Sequence, residues 1–220
     1  MFNNCDSKTN GETLFYNTIK GYIDVIFDVG CRKDTNFLDF NGDVHYFDPV
    51  HEFIDDLSNQ PSQNSKSYFN KFGLGENKEQ IYYYPKYQSF YNRTKSCTIC
   101  DDKNKIMLDI KKGKDYVIEN NIEKIDFLKI DTEGYELKVL QGFEDFLHQI
   151  KIIQFEYGGT FLDNGVKLID IIKYLESYGF RNFAYLTQYG TEPITDYNDH
   201  YMYCNIVCIH ENCKIPLVSK

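Results

Sequence analysis

The stretch from Ile125 to Glu136, IDFLKIDTEGYE, restricts the possible folds more than any other part of the chain. Ile125, Phe127, Leu128 and Ile130 give an apolar run of the length of one strand buried on both faces. Asp131 and Glu133 follow where that strand must stop, Gly134 permits a sharp turn, and Leu137, Val139, Leu140 and Phe143 recur at helical spacing. A doubly buried strand running straight into a helix belongs to an open α/β sheet, where ligands collect outside the carboxyl ends of the strands. Two carboxylates therefore stand at a candidate site. Acids after a strand are also ordinary helix caps, because Asp and Thr accept hydrogen bonds from free backbone N–H groups. Thr132 and Glu133 fit either role. Asp131, the first polar residue past the strand, is the stronger functional candidate.

The same arrangement recurs. The first strand, Asp24 to Val29, carries Asp28 and Gly30 at its end, and a glycine there lets a backbone or ligand approach closely. A second strand, Asp43 to Phe47, is followed by Asp48 and Pro49, with Val50, Phe53, Ile54 and Leu57 forming the inward stripe of a helix. Asp48 lies 20 residues after Asp28, near the spacing at which a carboxylate reaches the ribose hydroxyls of a bound nucleoside. The spacing further predicts strands over Tyr68–Phe72, Ile81–Tyr84, Ile150–Phe155, Arg181–Leu186 and Tyr201–Ile209. Helices are expected over Glu12–Ile19, Asp115–Asn120, from the central turn to about His148, and over Val166–Tyr178. The strand at Ile150 ends in Glu156, and FGLGEN brings Gly73 and Gly75 to another strand end. Asp28, Asp48, Asp131 and Glu156 thus share one sheet rim, which is stronger evidence for a site than any one of them.

Length and composition narrow the partners. With 220 residues and no break in composition, one α/β domain is expected over 1–220, with a core of about 22–210 and a polar tail at 1–11. A net charge of −9 argues against broad binding to nucleic acid. The amino-terminal segment lacks the basic start and apolar core of a secretory signal, and no run is long enough to cross a bilayer, so a cytoplasmic location is expected. Seven scattered cysteines suit reduced thiols. Cys97 and Cys100 form a CxxC pair that could join Cys204, Cys208 and Cys213 at zinc, but Cys204 and Cys208 fall far apart along one strand face, against that assignment. The tyrosine-dense segment YYYPKYQSFYNRTKSCTIC reads as packing, although exposed rings there could stack on a sugar.

FDVGC at 27–31, YFDPVHEF at 46–53, FGLGEN at 72–77, FLKIDTEGYELKVLQGF at 127–143 and IIQFE at 152–156 together resemble the FkbM-type S-adenosylmethionine-dependent methyltransferases. The resemblance implies a Rossmann-like class I methyltransferase fold: a mostly parallel seven-stranded sheet with helices on both faces and an antiparallel last strand. It implies O-methylation of a sugar, glycan or related small molecule. By resemblance, Asp28, Gly30 and Cys31 hold the methionine part of the cofactor, Asp48 the ribose, Pro49 and Val50 flank the adenine, and Gly73 and Leu74 complete the cofactor site. Asp131, Glu133 and Glu156 face the methyl-transfer site. The chain departs from the family pattern where Asp34 replaces a second glycine, where Asp48 replaces a glutamate, and where 12 residues between Gly30 and Asp43 compress the expected helix.

Methyl transfer needs the acceptor oxygen held against the methyl carbon and its proton removed. Asp131 or Glu156 is the expected base, with His200 a weaker candidate. Carboxylates at adjacent strand ends could instead hold Mg²⁺. Two rivals remain: a non-catalytic cofactor-binding protein with the same fold, and a nicotinamide-dependent oxidoreductase, disfavoured because DVGCRKD lacks GxGxxG spacing. A homodimer is left open.

Overall fold

The computed structural model describes residues 2–85 and 105–215. Its main sheet is built from β1 (Val25–Val29), β2 (Asp43–Phe47), β3 (Lys66–Asn70), β7 (Ile125–Ile130), β8 (Ile150–Tyr157), β9 (Phe180–Thr187), β10 (Gly190–Pro193) and β11 (Cys204–His210). A smaller sheet is formed by β4 (Gly73–Gly75), β5 (Glu79–Tyr83) and β6 (Ile106–Lys112). The main sheet has the order β10-β9-β11-β8-β7-β1-β2-β3 and the smaller one β4-β6-β5. The pairs β3–β2, β2–β1, β1–β7 and β7–β8 are parallel, while β11 runs antiparallel to both β8 and β9.

The central strands are apolar because both faces are covered. β7 is buried along its length except for partial exposure at Lys129. On one face, α1 (Glu12–Ile19) and α2 (His51–Ser58) pack Phe15, Ile19, Ile54 and Leu57 against Ile26, Val44 and Phe127. On the other, α3 (Gly113–Glu119), α4 (Glu136–Phe143) and α6 (Leu168–Glu176) cover Phe27, Leu128, Ile130, Ile153 and Phe155. In α6, Leu168, Ile171, Ile172 and Leu175 are all buried, the stripe expected of a helix laid on a sheet.

The structure corrects several expectations. The sheet has eight strands where seven were predicted. The extra one, β10, is a four-residue edge strand that pairs antiparallel with β9 and ends in Pro193, which suits an edge because proline cannot donate to a further neighbour. No helix joins β1 to β2: residues 30–42 form an irregular loop instead of a compressed helix. The charged stretch before α3 contains β6, whose alternation is masked by Asp109, Lys111 and Lys112. The helix expected to reach about His148 ends at Phe143 and continues as a 3₁₀ turn over Glu144–Gln149. A short helix, α5 (Gly159–Asn164), precedes α6.

The expected Cys97–Cys100 pair and most of the tyrosine-dense segment lie outside the described residues. Cys204 and Cys208 are buried in the apolar core of β11. Among the described residues no helix is long and apolar enough to cross a membrane.

Candidate active site

β1, β2, β7 and β8 end side by side, so the acids at their carboxyl ends, Asp28 and Glu156 one residue inside their strands and Asp48 and Asp131 just past theirs, meet at one rim. Two clefts open there, and Asp131 lines both.

The first cleft encloses about 560 Å³ of empty space, open solvent at its mouth included. Its walls are mostly apolar: Val29, Pro49, Val50, Phe53, Leu74 and Ile110, with Gly30, Gly73 and Glu133 also in the lining. Asp48 is 4% exposed at its floor. The Asp48 Oδ1 accepts a hydrogen bond from the Val50 N–H at 2.8 Å, and its Oδ2 accepts from the Arg32 N–H at 3.1 Å. The arrangement is an Asx turn ahead of α2 and not the helix cap that an acid after a strand can form, because the N-cap of α2 is Val50 and no side chain caps the helix. It leaves further acceptor capacity, since a carboxylate has about four lone-pair sites. Burial, opposed by the two backbone donors and the Arg32 charge, pushes Asp48 up to about 6. At the mouth, the Arg32 guanidinium lies 5.6 Å from the centre of the Phe53 ring. Arg32 and Glu133, on facing loops, both adopt left-handed backbone conformations, with φ of 50° and 55°. Such conformations are costly for side-chain-bearing residues and cluster at functional sites.

The second cleft is polar. In the register of the sheet, Tyr46, Asp28, Lys129 and Gln154 stand in one row across β2, β1, β7 and β8. From α1, Glu12 closes over that row. Its Oε2 accepts from Gln154 Nε2 at 3.2 Å, and its Oε1 accepts from Asn205 Nδ2 at 3.1 Å and Asn10 Nδ2 at 2.6 Å. Asp28 Oδ2 accepts from the Thr35 hydroxyl at 2.6 Å, whereas Oδ1 has no hydrogen-bond donor among the described residues. Burial raises the Asp28 carboxyl above its ordinary value, against Lys129 and Thr35, which lower it. Lys129 reaches Asp131 Oδ2 at 3.1 Å and stands 4.0 Å from Asp28 Oδ1. Burial alone would lower its ammonium, but Asp131, Asp28 and Glu12 hold it well above its usual value.

Asp131 is fixed from behind by its backbone, whose N–H donates to the Val29 carbonyl at 2.9 Å. Burial would raise its carboxyl, but Lys129 and a hydrogen bond shared with Glu156 keep it low. Glu156 is driven the other way, well up, by burial and by the charge of Asp131. Burial and the Asp131 charge thus act on Glu156 in the sense opposite to that in which Lys129 acts on Asp131. Behind the loop, Glu136 in the first turn of α4 is 1% exposed. Its Oε1 accepts from the Thr132 N–H at 3.0 Å, the Thr132 hydroxyl at 3.1 Å and the Gly134 N–H at 3.1 Å. Burial, against its backbone hydrogen bonds, raises Glu136 to about 7.

Of the residues named from sequence, Gly30, Asp48, Pro49, Val50, Gly73, Leu74, Asp131 and Glu133 line the first cleft and Asp28 the second. Glu156 joins through Asp131. Cys31 is 3% exposed in the apolar core, where its thiol still feels the charges of Asp28, Asp48 and Lys129, and its N–H donates to the Phe47 carbonyl at 3.2 Å. His200 lies elsewhere, packed on Phe2, Tyr157 and Tyr185. Among the described residues no group of three His, Cys, Asp or Glu side chains is disposed to hold a metal, so Mg²⁺ finds no ligand set there. Sequence reasoning missed Lys129, Glu12 and Thr35. The available signal was Lys129 itself, a cation inside a strand otherwise buried on both faces.

The large, mostly parallel sheet with antiparallel carboxyl-terminal strands is consistent with a methyltransferase-like fold. The family model for the Methyltransferase FkbM domain matches residues 28–182, and the chain belongs to that family. No curated protein matches the chain.

Proposed function

We propose that this chain is a single-domain S-adenosylmethionine-dependent O-methyltransferase acting on a hydroxyl of a sugar, glycan or related small molecule. The observation that carries the reading is the junction of the two clefts at Asp131. The residues fit an adenosyl cofactor. Pro49, Val50, Phe53 and Leu74 offer an apolar slot for a flat base, and Asp48 at its floor offers a buried acceptor for two vicinal hydroxyls. The buried Asp28 Oδ1, which has no donor among the described residues, offers an acceptor toward the amino-acid end.

The bound cofactor would supply an electrophilic methyl on a sulfonium. The chain's own part is positioning and proton transfer. Asp131, held ionised beside Lys129, accepts the proton of the acceptor hydroxyl, a contribution of roughly 10²- to 10⁴-fold for general bases. Glu156, protonated and hydrogen-bonded to Asp131, fixes the carboxylate's orientation.

Calorimetry with S-adenosylhomocysteine and NAD tests the reading. Tight binding of S-adenosylhomocysteine and none of NAD is expected, and the reverse would falsify it. No binding of either favours a protein that has kept the fold without the chemistry. The affinity should also depend on pH. Asp48 accepts hydroxyls best when ionised, so affinity should weaken toward about tenfold per pH unit below pH 6. Asp48→Asn should bind roughly 10- to 100-fold more weakly at pH 7.5 and lose this pH dependence. An unchanged profile in the variant would remove Asp48 from the cofactor site.

A further inference from the structure

We propose that Lys129 is the positioning residue of the methyl-transfer site, its ammonium fixing Asp131 as the carboxylate and thereby leaving Glu156 as the acid that donates to it. The inference rests on the proposed function for the meaning of the site and goes beyond it by assigning an asymmetry to a cation that touches neither cleft's apolar wall.

Two carboxyls that share a hydrogen bond cannot both ionise cheaply, so one proton stays with the pair, and its owner is decided by the surroundings. The surroundings are unequal. Asp131 Oδ2 has the Lys129 Nζ at 3.1 Å, and Arg32 is a second, weaker cation acting on it. Glu156 faces the charges of Asp131, Glu133 and Glu136. Lys129 is itself enclosed: its side chain is 12% exposed, with Glu12 from α1, Asp28 from β1 and Asp131 around it and the Cys31 thiol nearby. Its ammonium faces the polar cleft with these acids around it. It sits in the strand row between Asp28 and Gln154 and reaches Asp131, the first residue past the end of β7. Asp28, at 4.0 Å, competes for it less strongly than Asp131 at 3.1 Å. Glu12 is already occupied by Gln154, Asn205 and Asn10. The charge is thus aimed at one carboxyl of the pair.

The test is a ¹³C NMR titration of side-chain carboxyls in the full chain without cofactor, with Asp131→Asn and Glu156→Gln assigning the two signals. In the wild type Asp131 should titrate below the ordinary Asp value of about 3.9 and Glu156 above the ordinary Glu value of about 4.3. In Lys129→Gln the Asp131 midpoint should rise by about one to three pH units, the range for loss of one close opposite charge. Lys129→Arg should keep it low. Glu156 titrating before Asp131 in the wild type, or an Asp131 midpoint that stays put in Lys129→Gln, overturns the proposal. Should Lys129→Gln fail to fold, the wild-type order of the two titrations still decides. Binding of S-adenosylhomocysteine, measured separately on the same samples, reports on the proposed function and not on Lys129.

Discussion

Gly30→Ala is expected to destabilise the protein by about 2–4 kcal/mol and to abolish cofactor binding in whatever fraction still folds. Gly30 has a φ of 81°, a conformation that side chains rarely adopt. A Cβ there would run into the backbone carbonyl oxygen of Asp131, which cannot rotate aside as a side chain would. The obstruction lies between the ends of β1 and β7, which are joined by the Asp131 N–H to the Val29 carbonyl at 2.9 Å, while on the other side the Gly30 N–H ties the end of β1 to β2 through the Phe47 carbonyl at 2.8 Å. Relieving the clash must separate β1 from β7 at the rim and with them Asp28, Lys129 and Asp131. Thermal unfolding combined with calorimetry checks this. A variant with wild-type melting temperature and wild-type affinity for S-adenosylhomocysteine would show that the close approach of the two loops is dispensable.

Removing Glu136 should have an effect of similar size by a different route. In Glu136→Ala, the Thr132 and Gly134 N–H groups and the Thr132 hydroxyl lose their common acceptor, a loss of about 3 kcal/mol and a drop of roughly 6–12 °C in melting temperature for a chain of this length. Glu136→Gln is milder, because one oxygen can keep the three donors while the amide replaces Oε2, which has no hydrogen-bond partner among the described residues. The two differ in their pH dependence. Glu136 in the folded chain titrates near 7 against an ordinary 4.5, so its contribution to stability is full below about 4.5 and is lost as pH rises through 7. Glutamine has no such loss. The deficit of Glu136→Gln relative to wild type should therefore shrink between about pH 5 and pH 8, whereas wild type and Glu136→Ala should converge only in part, since Ala lacks the acceptor at every pH. Urea unfolding at several pH values measures this, and a gap between wild type and Glu136→Gln that stays constant would mean that the buried carboxyl keeps its ordinary titration.

Much of this was written in the order of residues. The acids at Asp28, Asp48, Asp131 and Glu156 could be placed at strand ends because each follows an apolar run whose length and composition fit a strand. The residues that complete the polar cleft could not. Glu12 is 117 positions before Lys129 in the sequence, and only the docking of α1 on the sheet brings their charges together. β6 was missed for a related reason: its outward residues are charged or exposed, as suits a strand covered on one side, and the periodicity drowned in them. The loop over residues 30–42 was misread as a helix because the family pattern suggested one. The chain fills the gap with Phe37 and Phe40, which bury themselves against Tyr16 and Phe127 and anchor the loop without helical structure.

The smaller sheet has a bearing on ligand capture that its peripheral place in the topology conceals. Gly73 and Leu74 of β4, Tyr83 of β5 and Ile110 of β6 form one side of the first cleft, so that side is carried by an accessory layer and not by the parallel strands. This layer rests on α4 at a seam where Gly142 lies so close to the Gly75 carbonyl that no side chain fits between them. Widening the seam with Gly142→Ala would shift a whole wall relative to the acid at the floor. The width of the first cleft is thus tied to a helix–sheet junction that lies outside its own lining.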